Sequence, residues 1–271
     1  MSTTQFFKDH AVWITGGGSG LGAAMALEFA RRGADVAVSG RRVEKLEEVA
    51  QAVSGLGRRG VAIQCDVTND AAVERAVSHA KDSLGKLDVV VANAGFAVAG
   101  TIESLPIEAW RRQFDTNVFG AISTVRHCLP HLRDTSGRVG LVSSVMGMLS
   151  IPKNGPYSAS KYALRAVGQT LAMELHGTGV SVSLINPGFV STEIAQVDND
   201  GQFHEDWNDR RPSRLMWSAE AAARVVVRAL HRRKREFTFT GHGRVGAWLG
   251  KHTPGLVHFA MTRGRAQGSS S

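Results

Sequence analysis

Tyr157 and Lys161, four residues apart, are the pair in this sequence best placed for proton chemistry. They begin a segment with helical patterning, and positions four apart share one face of a helix, so the phenol and the ammonium point into the same space. At about 4 Å and an effective dielectric near 20, an ammonium favours a phenolate by about 4 kcal/mol. The pKa of Tyr157 would then fall from about 10 towards 7, an upper bound because burial of the phenolate opposes it. The pair predicts a general acid/base.

Two serines, Ser143 and Ser144, end an apolar run fourteen and thirteen residues before the tyrosine. In a parallel α/β sheet, the carboxyl ends of the strands form the ligand crevice. A serine hydroxyl at that edge would hold a carbonyl oxygen beside the phenol. The sequence therefore predicts a place for a carbonyl group next to a proton donor.

A glycine-rich turn, Thr15–Gly22, follows the first apolar run and opens directly into a helical segment. Glycines let the backbone come close to a pyrophosphate, which then lies on the free N–H groups at the helix N-terminus. The predicted strand before the turn and the predicted helix after it are both what this motif requires. The turn predicts a dinucleotide site, and a purely structural turn is the alternative.

The second predicted strand ends in Ser39-Gly40-Arg41-Arg42, which holds two guanidinium groups and no acid. A site that prefers NAD(H) places Asp or Glu here to bind the ribose 2′-hydroxyl. Arginine instead binds a 2′-phosphate in a bidentate manner, whereas a carboxylate would repel it. NADP(H) is therefore predicted in preference to NAD(H). The alternative is that Arg41 and Arg42 only cap a surface loop.

Short apolar runs alternate with helical segments along most of the chain. The runs are nearly continuous, as strands buried on both faces of a parallel sheet require. The predicted strands are Val12–Thr15, Asp35–Ser39, Val61–Cys65, Leu87–Ala92, Val139–Ser143, Val180–Ile185 and Phe237–Thr240. The predicted helices are Leu21–Arg32, Val43–Val53, Ala71–Leu84, Ile107–Leu132, Ser158–His176 and Ala219–Arg232. This alternation predicts an α/β fold, a Rossmann-like doubly wound parallel sheet of about seven strands with helices on both faces.

The chain has 271 residues, of which 43% are hydrophobic and 21% charged, an ordinary globular composition. No linker divides it, so residues 1–271 are expected to form one dinucleotide-binding and catalytic domain. The polar, aromatic and irregular stretch at 193–217 is predicted to be a lid over the substrate. Residues 243–271 form a C-terminal extension in which Pro254 interrupts any helix. This extension could cover the pocket, pack on a neighbouring subunit or rest on a membrane surface.

Net charge and cysteine spacing limit the possible binding partners of the protein and its cellular compartment. The net charge of +8 is concentrated in residues 210–244, where ten basic side chains face two acids. A solvated helix face is the favoured interpretation and an anionic partner the alternative, because no nucleic-acid motif accompanies the charges. Cys65 and Cys128 have neither metal-ligand nor disulfide spacing, and no signal core or membrane-spanning run is present. A cytoplasmic protein is predicted, and no metal, since the i, i+4 pair His127 and His131 has no further support.

Several of these residues occur in the order of a known family. The sequence resembles the short-chain dehydrogenase/reductase family, in its short single-domain form, at Thr15–Gly22, Asn93-Ala94-Gly95, Asn117, Ser144, Tyr157, Lys161 and Pro187-Gly188. The resemblance covers roughly residues 11–240. It implies that Tyr157 is the acid/base, that Lys161 lowers its pKa and binds the nicotinamide ribose, and that Ser144 orients the substrate oxygen. It also implies that Asn117 holds a water in the proton relay.

The resemblance extends to the cofactor. It places Asp66 and Val67 at the adenine, makes Asn93 a support of the central sheet, and makes Thr192 a donor to the nicotinamide amide. The predicted cofactor contacts are Gly16, Gly18, Ser19, Gly20, Leu21, Gly22, Arg41, Arg42, Asp66, Val67, Asn93, Ala94, Gly95, Tyr157, Lys161, Pro187, Gly188, Val190 and Thr192. Because the Asn117 and Tyr157 helices commonly form the subunit interfaces of this family, a homo-dimer or homo-tetramer is expected.

Apolar residues near the catalytic groups predict a hydrophobic ketone or alcohol as substrate. The predicted substrate contacts are Ser144, Met146, Ile151, Tyr157, Phe189 and Trp207. The resulting hypothesis is an NADP(H)-dependent oxidoreductase that interconverts a carbonyl and a secondary alcohol. Two rivals are the same fold acting with NAD on a polar substrate, and a non-catalytic NADP(H)-sensing protein with an anionic partner. The intact Tyr157, Lys161, Ser144 and Asn117 set argues against the sensor.

Overall fold

A parallel β-sheet forms the centre of the protein in the computed structural model, which describes residues 5–207, 209 and 211–263. Its seven strands lie in the order β3-β2-β1-β4-β5-β6-β7, and every neighbouring pair is parallel. The strands are β1 Ala11–Thr15, β2 Asp35–Gly40, β3 Gly60–Gln64, β4 Val89–Ala92, β5 Arg138–Val142, β6 Ser181–Asn186 and β7 Glu236–Thr238. The strand order reverses between β1 and β4, and a ligand crevice opens at such a switch point. The predicted fold class is confirmed.

Helices cover both faces of this sheet. They are α1 Gly20–Arg31, α2 Val43–Gly55, α3 Asp70–Leu84, α4 Ile107–Phe114, α5 Gly120–Asp134, α6 Gly155–Glu174, α7 Ala219–His231, α8 Gly241–His252 and α9 Pro254–Arg263. One buried core joins α1, α2 and α7 to one face, where Phe29 and Leu230 are fully buried. A second core joins α3, α5 and α6 to the other face around Trp13. The two cores fix the strand ends that carry the polar residues.

The predicted helix Ile107–Leu132 is helical throughout, but it is not a regular α-helix along its whole length. A π-helical turn, Asp115–Phe119, separates α4 from α5. There the N–H of Gly120 donates to the carbonyl of Asp115, five residues back. Such a turn inserts one residue without ending the helix, so the apolar periodicity of the sequence hardly changes. Asn117 lies in the middle of this turn.

The C-terminal extension contains two helices up to the last described residue, Arg263. Pro254 does interrupt a helix, since α8 ends at His252, but it also begins α9. Proline fits the first position of a helix because its missing N–H has no helical partner there. Within the described ranges, no helix has both the length and the apolar character needed to cross a bilayer. Residues 1–4, 208, 210 and 264–271, which belong to the predicted domain, lid and extension, lie outside the described part.

Candidate active site

A cavity of about 800 Å³ opens at the carboxyl edge of the sheet. It collects residues that follow β1, β2, β3, β4, β5 and β6, as the switch point requires. All of the predicted cofactor contacts lie in its lining, from Gly16 to Thr192. Ser144, Tyr157 and Lys161 lie in the same lining. The fold therefore brings the dinucleotide motif and the predicted acid/base into one space.

The first two turns of α6 carry Tyr157 and Lys161 on one face, as their spacing predicts. The Lys161 ammonium lies over the tyrosine ring, 5.6 Å from its centroid. Its Nζ donates to the carbonyl oxygen of Val142 at 2.9 Å, and the side chain is buried. The ammonium is thus held against the end of β5 and over the phenol ring.

Burial, more than charge, sets the proton affinities of this pair. Burial raises the pKa of Tyr157 above its usual value, and a hydrogen bond from Ser144 and the charge of Arg211 oppose the rise only in part. Burial also lowers the pKa of Lys161 to about 8. The spacing of Tyr157 and Lys161 in the sequence predicted that the pKa of the phenol falls towards 7. In the structure the pKa of Tyr157 is raised instead. The desolvation of a buried phenolate exceeds the attraction of an ammonium that already has a carbonyl partner.

The two serines after β5 have different partners. Ser144 hydrogen-bonds with the phenol of Tyr157 and accepts the N–H of Met146 at 3.1 Å. Ser143 instead donates its hydroxyl to the carbonyl of Lys161 at 3.1 Å. Ser144 is therefore the serine next to the predicted proton donor, and Ser143 ties the end of β5 to α6.

Asn117 is buried behind the cavity and is not among its lining residues in the described part of the chain. Its Nδ2 donates to the carbonyl of Phe96 at 3.1 Å and to the hydroxyl of Ser160 at 3.2 Å. Ser160 donates in turn to the carbonyl of Tyr157 at 2.7 Å. Asn117 is thus connected to the first turn of α6 through one hydroxyl. Its role in a water relay stays a prediction.

The glycine turn presents backbone to the cavity. Gly16 has a φ of +63°, and a Cβ there would lie 2.8 Å from the Cα of Ala94. A Cβ on Gly22 would collide with the carbonyl oxygen of Gly16. Asn93 holds the turn from β4, because its Nδ2 donates to the carbonyls of Thr15 and Gly16, both at 3.0 Å. A backbone that has no side chains in the way and is held in place by Asn93 fits a pyrophosphate.

Comparison with known proteins decides the family. The family model described as short chain dehydrogenase matches residues 10–202. The chain belongs to this family. It is 32% identical over 268 residues to 11-beta-hydroxysteroid dehydrogenase A from Sesamum indicum, covering 95% of this chain and 77% of that protein.

Two solved structures share the fold of this dehydrogenase. One is a short chain dehydrogenase from Burkholderia cenocepacia J2315 in complex with NADP, with a TM-score of 0.78 and 27% identity over 88% of this chain and 99% of that one. The other is an alcohol dehydrogenase from Thermococcus sibiricus complexed with 5-hydroxy-NADP. Its TM-score is 0.74 and its identity 26%, over 85% of this chain and 96% of that one. This dehydrogenase is thus an oxidoreductase with a Rossmann-like fold.

Arg41 and Arg42 of the dehydrogenase already contact the segment after Thr192. Arg42 pairs with the Glu193 carboxylate at 2.6 Å and donates to Ser19 Oγ at 3.0 Å. Arg41 donates to the carbonyl of Gly201 at 2.8 Å. A guanidinium has five N–H donors, so these contacts leave donors on both side chains. The arginines therefore both line the cavity and fasten the predicted lid.

Residues 197–203, here named the strap, cross the mouth of the cavity. On its far side, the Asn199 amide donates to the carbonyl of Ala99 and accepts the Ala99 N–H, both at 2.9 Å. Arg112 pairs with Asp200 at 2.6 Å beside this contact. Four strap residues line the cavity, namely Val197, Asp200, Gly201 and Phe203. The strap thus bridges the dinucleotide cleft from the arginines to the segment after β4.

The remaining predicted substrate contacts, Met146, Ile151, Phe189 and Trp207, are not in the lining among the described residues. Trp207 stacks on His204 at 4.6 Å and lines a smaller neighbouring pocket. Trp217, the other tryptophan of the predicted lid, packs against the core beside Phe239, 5.9 Å between ring centroids. Substrate roles for these residues stay predictions, and only Ser144 and Tyr157 of the predicted set reach the cavity described here.

Sequence reasoning missed His242, at the start of α8. Its Nε2 accepts the N–H of Phe189 at 3.0 Å, and the two rings stack with centroids 5.0 Å apart. Burial lowers the pKa of His242, which keeps the imidazole neutral and able to accept. Arg211, whose charge reaches Tyr157, was also missed as a lining residue. No spacing signal joins residues so far apart in the chain.

Loosening the strap is expected to speed the release of a bound dinucleotide. Asn199→Ala removes two hydrogen bonds, and at about 0.5–1.5 kcal/mol each the loss corresponds to roughly 5- to 150-fold faster dissociation of NADPH. Stopped-flow fluorescence of NADPH measures this rate. The control is Thr135→Ala, which loses a hydrogen bond to the Leu87 carbonyl before β4, away from the cavity. Equal rates in the two variants would exclude a covering role for the strap.

Proposed function

We propose that this dehydrogenase is NADP(H)-dependent and interconverts a carbonyl group and a secondary alcohol. The observation that carries the proposal is the convergence of Ser144, Tyr157 and Lys161 on the cavity that the glycine turn also lines. Each group supplies one requirement of the reaction: an oxygen binder, a proton donor and a cation. Ser144, Tyr157 and Lys161 are the residue types that the family pattern has at these three positions.

Different residues of the site would hold the cofactor and act on the substrate. The backbone of the glycine turn would hold the pyrophosphate, while Lys161 and Thr192 would hold the nicotinamide half. Bound NADP(H) supplies or accepts the hydride. The Ser144 hydroxyl orients the substrate oxygen, and the Tyr157 phenol gives its proton to that oxygen in reduction or takes one in oxidation. Because burial raises its pKa, Tyr157 is protonated at neutral pH and ready to act as the acid.

Preference for NADP(H) over NAD(H) rests on Arg41 and Arg42. Both line the cavity at the end of β2, and no carboxylate stands in their place there. Both keep donors beyond their strap contacts, as a 2′-phosphate would need. The NADP and 5-hydroxy-NADP complexes of the two structural relatives support the same choice.

An apolar substrate is proposed because Phe96, Ile194 and Val197 line the cavity. The sesame relative is named for a hydroxysteroid, an apolar secondary alcohol. One observation favours a second candidate, a polar substrate on the same machinery. Arg211 lines the cavity close enough to influence Tyr157, and its guanidinium would attract an anionic group on a substrate.

We also propose a domain organisation, an oligomeric state and a cellular location for this dehydrogenase. One catalytic domain would span residues 1–271, with a lid at 193–217 and an extension at 243–271. A homo-dimer or homo-tetramer would use α5 and α6, and on α6 the large side chains of Tyr162 and Met173 are exposed. A cytoplasmic location is supported by Cys65 and Cys128, which are both free and buried.

The test is an NADPH-oxidation assay over ketones graded in size and polarity, with NADH in parallel. We expect turnover to rise with the apolar surface of the ketone, because burial stabilises apolar groups by about 25 cal/mol per Å². We also expect NADPH to outperform NADH. Selective turnover of keto acids would instead favour the Arg211 candidate, and no turnover of any carbonyl would contradict the proposal.

A further inference from the structure

The last two described helices, α8 and α9, follow one another with one residue between them and are here called the C-terminal helix pair, residues 241–263. Ala247 of α8 is buried against Val145 and Met148 in the turn after Ser144. Helix α9 has no buried residue. The pair exposes large apolar side chains, namely Val245, Trp248, Leu256, Phe259 and Met261. Trp248 and Phe259 are 57% and 51% exposed.

The charged side chains of this helix pair are all cationic. The sequence contains no aspartate or glutamate after Glu236. Arg244, Lys251 and Arg263 are exposed, and Lys251 Nζ lies 3.9 Å from the Glu236 carboxylate in β7. The Arg263 guanidinium lies over the Phe259 ring, 4.1 Å from the ring centroid. A cation and an aromatic ring are therefore adjacent on the surface.

Exposed tryptophan, phenylalanine and leucine mixed with cations and no acids match the interface of an anionic bilayer. There the apolar side chains enter the boundary of the acyl chains while the cations meet lipid phosphates. The helices have twelve and ten residues, too short at 1.5 Å per residue for the ~30 Å hydrocarbon core, so they would lie along the surface. We propose that the exposed apolar and cationic side chains of the C-terminal helix pair dock on an anionic lipid bilayer.

A second copy of the chain fits this surface less well. A two-fold dimer places the same patch of both subunits in contact. Arg244 and Arg263 of one copy would then face the same cations of the other, and the helix pair has no carboxylate of its own to pair with them. Such like-charge contacts oppose association. Phospholipid phosphates supply the missing negative charge.

Vesicle co-sedimentation of the full chain tests the proposal. We expect binding to phosphatidylcholine vesicles that contain phosphatidylglycerol, and little binding to phosphatidylcholine alone. Replacing both exposed rings, Trp248→Ser with Phe259→Ser, is expected to weaken binding at least ~10-fold, because each ring enters the interface. Reversing two charges, Arg244→Glu with Arg263→Glu, is expected to weaken binding to the anionic vesicles and to remove its dependence on salt.

The matched control is Ile102→Ser with Ile107→Ser, which replaces two side chains that are 74% and 58% exposed before and at the start of α4. It is expected to bind vesicles like the wild type. Equal binding by wild type and the Trp248/Phe259 variant would overturn the proposal. So would a loss of oligomeric mass in that variant by light scattering without any vesicle binding by the wild type, because the helix pair would then be a contact between copies. Far-UV circular dichroism confirms that each variant is folded.

Discussion

Tyr157→Phe is expected to lower kcat/KM for carbonyl reduction by ~10²–10⁴-fold, the usual contribution of a general acid. Phenylalanine keeps the ring against which the Lys161 ammonium lies at 5.6 Å, so the wall of the cavity is preserved. The variant loses the proton donor and the hydrogen bond with Ser144. NADPH binding, measured by fluorescence titration, is expected to change little. Steady-state assays with the best ketone give the rate.

Tyr162→Phe is the matched control, on the same helix but with a side chain that is 42% exposed. It is expected to keep full activity. The wild type adds a pH signature in the alcohol-oxidation direction, where Tyr157 must accept a proton. Because burial raises the pKa of Tyr157, the oxidation rate is expected to rise with pH through the alkaline range, and Tyr157→Phe is expected to abolish that rise. Near-normal turnover of Tyr157→Phe would remove this residue from the mechanism.

The double variant Arg41→Ala with Arg42→Ala is expected to lower NADPH affinity well over tenfold. Charge-assisted hydrogen bonds contribute about 1.5–3 kcal/mol each, and both guanidinium groups are lost. NADH has no 2′-phosphate, so its affinity is expected to change much less. The measured quantity is the ratio of the two dissociation constants, from fluorescence titration.

The structure shows why a ratio is needed. Arg41 and Arg42 also fasten the strap and its neighbour, through Gly201 and Glu193, so their removal loosens the cleft for either dinucleotide. Asn199→Ala separates the two effects, because it loosens the strap and leaves both arginines in place. We expect it to weaken NADPH and NADH alike. Equal losses of both dinucleotides in the arginine variant, or a wild-type preference for NADH, would refute the assignment.

Much of the fold and of the cavity lining could be predicted because the signals are local. The glycine turn lies between β1 and α1 within eight residues, and Tyr157 and Lys161 are one helical turn apart. Parallel strands then bring their carboxyl ends together whatever the loops between them do. Ser144 and Asn93 therefore reach the cavity from separate parts of the sequence.

What could not be predicted depends on distance or on burial. The contact of Arg41 with Gly201 joins residues 160 positions apart, and that of His242 with Phe189 joins residues 53 positions apart. Apolar periodicity does not reveal a single inserted residue, so the π turn at Asn117 was missed. The pKa of Tyr157 depends on desolvation, which the spacing of two residues does not specify.

The strap also separates two properties of the enzyme that natural selection can act on. Its contacts, through Asn199, Asp200 and Gly201, are made with the segment after β4, with α4 and with the end of β2. None of these partners is Ser144, Tyr157 or Lys161. Substitution of Asn199 is therefore expected to change how long a dinucleotide stays in the cleft while proton transfer is left as it is. At that position, we expect retention of the coenzyme to evolve separately from the chemistry that the coenzyme serves.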